Sequence, residues 1–351
     1  MATASPLHGY AVYADRLEDF WGRRDNVQQY QRTFSIMGCP VEMTSNQAGV
    51  LDSIDYSAPQ YSSAPAHGGS SMRFQWVVRA PAQDPGPPPE HPAEHMQYTG
   101  HGHWLNLHFG LWGNAFADLR GGLVTAVITP QLAARPDLIS RGLLNTLLNN
   151  LLTAHGFAML HATGLVRGNR LLILMAPHNS GKSTTALRLT LSRQFQLLSD
   201  SQVYVTRTER GPQVTGFPVG RGKLRRDMLP HFPGLQRLLT PEQVRDETKF
   251  VLDLRALDPA LVCETAVFPE HVDWCLLSRS DRPETTLRPA TAGEIWQAVI
   301  DNSIHYDERP PWEANLHQIA PLVEMARFHH LEIGTDGDGI VRKVMEIGDL
   351  S

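Results

Sequence analysis

One stretch, "LMAPHNSGKSTTALRL" (residues 174–189), constrains the fold more than any other part of the chain. An apolar run enters it, a loop ends in Gly181-Lys182-Ser183, and a segment with Ala186, Leu187 and Leu189 on a helical period leaves it. A strand, a wrapped loop and a helix in that order aim consecutive main-chain N–H groups at one point, where the helix dipole adds positive potential. The loop keeps the four-residue gap of a phosphate-binding loop before Gly-Lys-Ser, with Ala176 where a glycine usually begins it. Alanine serves there if the residue keeps a negative φ. Ala176, Pro177, His178, Asn179, Ser180, Gly181, Lys182, Ser183 and Thr184 are therefore expected to hold a nucleotide. Lys182 would reach the β- and γ-phosphates, and the Ser183 hydroxyl would bind Mg²⁺.

The next apolar segment, "FQLLSD", ends in Asp200, which can stand beside the metal and the γ-phosphate as the second metal ligand and the catalytic carboxylate. Other strands are expected at "FAMLHATGLV", "RLLILM", "QVYVTRT" and "VDWCLLSR". Helices are expected from Thr240 to about Arg255, from Thr291 to Ser303 and from Trp312 to Arg327, and a strand, tight loop and short helix at the end.

The run "LHATGLVRGNRLLILMAPHNSGKSTTALRLTLSRQFQLLSDSQVYV" resembles the catalytic core of the HPr kinase/phosphorylase family, which shares its fold with phosphoenolpyruvate carboxykinase. His161 takes the position of that family's strand histidine, Ala176 to Ser183 its loop, and Asp200 the first aspartate of its Asp-Asp pair. Ser201 replaces the second aspartate, and Thr184 replaces the glutamate that follows the loop in the bacterial HPr enzymes. The resemblance covers roughly residues 136–260. It implies an α/β P-loop kinase domain of the HPr-kinase/carboxykinase type, with Asp200, His161 and Lys182 as catalytic residues and ATP and Mg²⁺ as cofactors. The implied reaction is transfer of the γ-phosphate to a hydroxyl, serine foremost, of a peptide, protein or small molecule. The two lost carboxylates point to a divergent member, such as the serine kinases of lasso-peptide pathways. A nucleotide-binding sensor without transfer chemistry and a carboxykinase-like enzyme are the competing readings. The HPr enzymes form hexamers, so a homo-oligomer is a further expectation.

With 351 residues, two domains are expected: a β-rich one over 1–135 with Pro- and Gly-rich loops, and the kinase domain over 136–351, opened by a leucine-rich helix. The 31 Lys and Arg against 36 Asp and Glu leave no basic stripe for nucleic acid. The local exception is Arg221, Lys223, Arg225 and Arg226, readable as a phosphate clamp centred on Arg225 or as an exposed basic turn. Lys249 is a weaker candidate for a phosphate contact, since a lysine at a polar helix end is most often solvated. His101 and His103, with His91, His95 and His108 nearby, lack a recognisable ligand spacing. "GTDGDG" reads as a turn with a helix cap. Three scattered cysteines, no secretory leader and no membrane-spanning apolar run lead to the expectation of a cytoplasmic protein that engages no membrane.

Overall fold

The computed structural model describes residues 29–57, 72–90, 95–177, 180–244, 247–303 and 309–349. The chain divides into two compact units, Met1–His155 and Gly156–Ser351.

In the first unit, β1 (Tyr30–Ile36), β2 (Cys39–Ser45), β3 (Met72–Val78), β4 (Met96–His101), β5 (Trp104–Phe109), β6 (Gly113–Asp118) and β7 (Leu123–Ile128) form one sheet. Its order is β1-β2-β3-β7-β6-β5-β4, with β3 parallel to both its neighbours. "RFQWVVRA", "HWLNLHFG" and "LVTAVITP" supply β3, β5 and β7, as their apolar runs predict. The strand candidate "GYAVYA", the loop of residues 58–71 and His91 lie outside the described residues. Among the described residues, no cluster of three His, Cys, Asp or Glu side chains is placed to hold a metal. The leucine-rich helix α1 (Asn145–Ala154) belongs to this unit, with Leu147, Leu148, Leu151 and Leu152 fully buried along one stripe.

The second unit is built on a six-stranded sheet. Its strands are β9 (Thr163–Arg167), β10 (Arg170–Met175), β11 (Gln196–Ser199), β17 (His271–Arg279), β18 (Thr286–Pro289) and β19 (Ala326–Ile333), in the order β11-β9-β10-β17-β19-β18. β10, β17 and β19 are mutually parallel, while β9 is antiparallel to both β10 and β11, so β11 also runs with β10. Both faces of the sheet are covered, which is why "RLLILM" is apolar throughout. Leu172 and Leu174 point into a core with α2 (Lys182–Leu191) and α5 (Gly337–Asp349). Leu171, Ile173 and Met175 point into a second core with α3 (Ala292–Asn302) and α4 (Arg309–Glu324). A small sheet of β8 (Ala158–Leu160), β12 (Val203–Thr208) and β13 (Gly211–Gly216) joins the second core, and another of β14 (Arg221–Arg225), β15 (Leu239–Val244) and β16 (Glu247–Asp253) joins the first.

Two local expectations are corrected. "FAMLHATGLV" is two strands, because the chain turns at His161 and Ala162 and passes from the β8 sheet to the six-stranded one. Residues 240–255 form the β15–β16 hairpin and a short helical turn from Leu254, in place of a helix. The apolar run Phe250-Val251-Leu252 is taken up by antiparallel pairing with β14 and β15, a tertiary choice that helix periodicity alone does not expose.

Candidate active site

The C-terminal ends of β10, β11, β17 and β19 lie along one edge of the sheet, where open parallel sheets place their ligands. The turns that leave them line a cavity of about 630 Å³: Pro177 and Ser180 to Lys182 after β10, Asp200 and Ser201 after β11, Arg279 to Asp281 after β17, and Gly334 and Thr335 after β19. Among the described residues, its lining belongs to the second unit.

Gly181 sits at φ +93°, a left-handed conformation that favours glycine, and a Cβ there would stand 2.6 Å from Ile333 Cδ1, so the tip of that side chain would have to move. Ala176 is buried, and its carbonyl oxygen accepts a 2.6 Å hydrogen bond from Lys182 Nζ, which holds the lysine back across the loop. Burial lowers the Lys182 pKa; Asp200 offsets part of the loss and the charge of Lys249 adds to it. Pro177, Ser180, Ser183 and Thr184 line the cavity, whereas His178 and Asn179 lie outside the described residues.

Asp200 is only 5% exposed. Burial raises its pKa, opposed by the Ser183 hydroxyl, by the main-chain N–H of Lys223 and by the positive charges of Lys223 and Lys182. The Lys223 N–H donates to Asp200 Oδ2 at 3.0 Å, and the Thr163 hydroxyl donates to the Asp200 carbonyl oxygen at 2.7 Å. A carboxylate held from three strands in this way has one orientation, toward the start of α2. The Ser183 hydroxyl and the Asp200 carboxylate together are two hard oxygen donors in contact, a set that fits Mg²⁺, which takes one or two protein ligands and fills its other positions with phosphate and water.

His161 is exposed at the cavity wall, where its main-chain N–H donates to Asn302 O at 2.7 Å; it is not a core histidine. Ser201 and Thr184 both line the cavity. The basic segment is strand β14, whose Gly222 and Leu224 are buried while Lys223 and Arg225 face the cavity. Arg225 stands directly opposite Lys249 of β16 and pairs with Asp227 at 3.1 Å.

Sequence reading ranked Lys249 only as a weaker phosphate contact, read Gly334 and Thr335 only as part of a turn, and passed over Arg188 and the turn Arg279 to Asp281. Lys249 was hidden by the strand misread as helix. Arg188 carried a signal, since it follows Thr184 by one helical turn and so faces the same way. The two turns carry no motif and reach the site only because their strands neighbour β10.

No family model matches the chain, and no curated protein matches it. Among solved structures, the Hpr(Ser) kinase/phosphatase from Coxiella burnetii is similar, with 10% sequence identity, covering 54% of this chain and 95% of that one at a TM-score of 0.26. The likeness is a distant structural relationship in a mixed α/β protein, too faint to assign a reaction.

Proposed function

We propose that the protein is an ATP- and Mg²⁺-dependent kinase that transfers the γ-phosphate to a hydroxyl of a peptide, protein or small molecule, with serine the foremost acceptor group. The observation that carries the reading is the buried Asp200 carboxylate in contact with Ser183, one residue after the loop lysine, in a single cavity. In this reading the N-terminal amides of α2 cradle the phosphates, and Lys182 neutralises charge at the β- and γ-phosphates. Mg²⁺, held by Ser183 and Asp200, would supply electrostatic stabilisation of the phosphate oxygens. Asp200 orients the acceptor hydroxyl and takes its proton as the acceptor oxygen bonds to the γ-phosphorus. The bond from that phosphorus to the β–γ bridging oxygen breaks, and its electron pair leaves with the nucleoside diphosphate. His161 and Ser201 stand at the wall on the Asp200 side and are assigned to the acceptor.

The test is incubation with γ-labelled ATP, Mg²⁺ and a panel of hydroxyl-bearing peptides, with Asp200→Ala and Lys182→Ala as controls. Label on a peptide that depends on both residues supports the reading. Equal transfer by wild type and Asp200→Ala would remove Asp200 from the chemistry. ATP binding without transfer to any acceptor would leave a nucleotide sensor.

A further inference from the structure

Arg188 has no part in the chemistry above, yet it lines the same cavity on the second turn of α2, about 9 Å along the helix axis from Lys182 at 1.5 Å per residue. Its Nε is fully buried and has no hydrogen-bond acceptor among the described residues. The guanidinium lies over the Phe232 ring, 5.1 Å from the centroid, and Nη1 is packed so tightly against Gly337 that a Cβ there would overlap it. The carboxylates of Asp336 and Asp338 lie near enough to favour its charge, but neither hydrogen-bonds it. Asp336 is occupied by Arg342 at 2.9 Å and by the Asp338 N–H at 3.1 Å. A half-buried cation that lines a cavity and has no hydrogen-bonded anion is costly to keep unless a ligand answers its charge.

Packing on both sides holds this guanidinium flat and in one place, and it can only donate. Nearby on the cavity wall, Met228 and Ile340 supply apolar surface and His231 a second ring. Donors in a plane beside apolar surface suit a flat ring edged with acceptor atoms, and the position is a full turn beyond the phosphate loop.

Building on the nucleotide reading of the site, we propose that Arg188 binds the nucleoside half of the nucleotide, donating from its Phe232-backed guanidinium to acceptor atoms on the nucleoside. The phosphate loop then holds the triphosphate alone, and Arg188 distinguishes a nucleotide from bare polyphosphate.

Calorimetric titration of the full-length protein with ATP and, separately, with inorganic tripolyphosphate, both with Mg²⁺, tests this in wild type and Arg188→Lys. The lysine keeps the charge and loses the planar fork. The expected result is an ATP affinity lower by about tenfold or more, the worth of a charged hydrogen bond, with tripolyphosphate binding unchanged. Equal weakening of both ligands, or of neither, overturns the assignment of Arg188 while leaving the nucleotide reading standing. Wild type that binds neither ligand overturns the nucleotide reading itself. Arg188→Gln, compared with wild type by thermal melting, separates a packing role: lower stability with an unchanged ratio of ATP to tripolyphosphate affinity also overturns the proposal.

Discussion

Asp200 carries two opposed demands. Burial favours its protonated form, while Ser183, the Lys223 N–H and two lysine charges favour the carboxylate, and burial prevails. A base whose pKa is raised toward working pH transfers protons more effectively than an ordinary aspartate. Two results follow. Asp200→Asn is expected to lower phosphate transfer by about 10²- to 10⁴-fold in the labelled-ATP assay. Stability changes in the other direction. A pKa raised in the native state gives stabilisation that is full below the unfolded value and is lost as pH rises through the native one. Thermal melts across a pH series are therefore expected to show Asp200→Asn gaining on wild type as pH rises from acid to neutral. A constant difference would mean that the carboxyl titrates normally. Lys182 is displaced the same way for a cation, toward its neutral form, and a bound triphosphate would restore its charge.

Among the elements, the loop and β19 constrain each other through Gly181 and Ile333. Gly181→Ala is expected to weaken ATP binding at least tenfold by titration, and Ile333→Val, which removes the clashing Cδ1, to recover part of that loss in the double variant. The residual defect is the left-handed backbone, costing about 1–2 kcal/mol. At the opposite edge of the sheet, toward the strand starts, Asp273 of β17 is 1% exposed and bonded by Arg327 at 2.9 Å and His329 at 3.1 Å, both from β19, with Arg170 of β10 at 3.6 Å. Burial alone would raise its pKa, but His329 and Arg327 more than offset it and the value falls. The sign is opposite to that of Asp200: the stabilisation is present above the unfolded value and is lost as pH falls through the native one. Asp273→Ala leaves Arg327 and Arg170 without their shared anion and is expected to cost about 3 kcal/mol in urea denaturation. The β14–β16 pairing sets Arg225 opposite Lys249, like charges that repel across a ladder unless an anion lies between them. Lys249→Ala should accordingly weaken ATP binding, most at low salt.

At the scale of the whole chain, every described cavity residue comes from Gly156–Ser351. A protein made of residues 156–351 is expected to bind ATP as the intact chain does, by titration; if it binds ATP but no longer modifies an acceptor that the intact chain modifies, the first unit takes part in acceptor recognition. Among the described residues no helix is long and apolar enough to cross a membrane. The donor end of the site was legible in the amino-acid order because it is local: strand β10, the loop and α2 are contiguous, and their backbone geometry alone creates an anion site around Lys182 and Ser183. Asp200 was legible for a related reason, since it ends the next strand parallel to β10 and must emerge at the same edge. The rest depends on separations along the chain that no periodicity encodes. Lys249 reached the cavity only when β16 paired with β14, and the turn at Arg279 only when β17 took its place beside β10. By itself the sequence determined the strand, loop and helix around which the proposed phosphate site is built. Tertiary structure decided what surrounds it, because sheet order and cross-strand register are settled by burial of both faces at once.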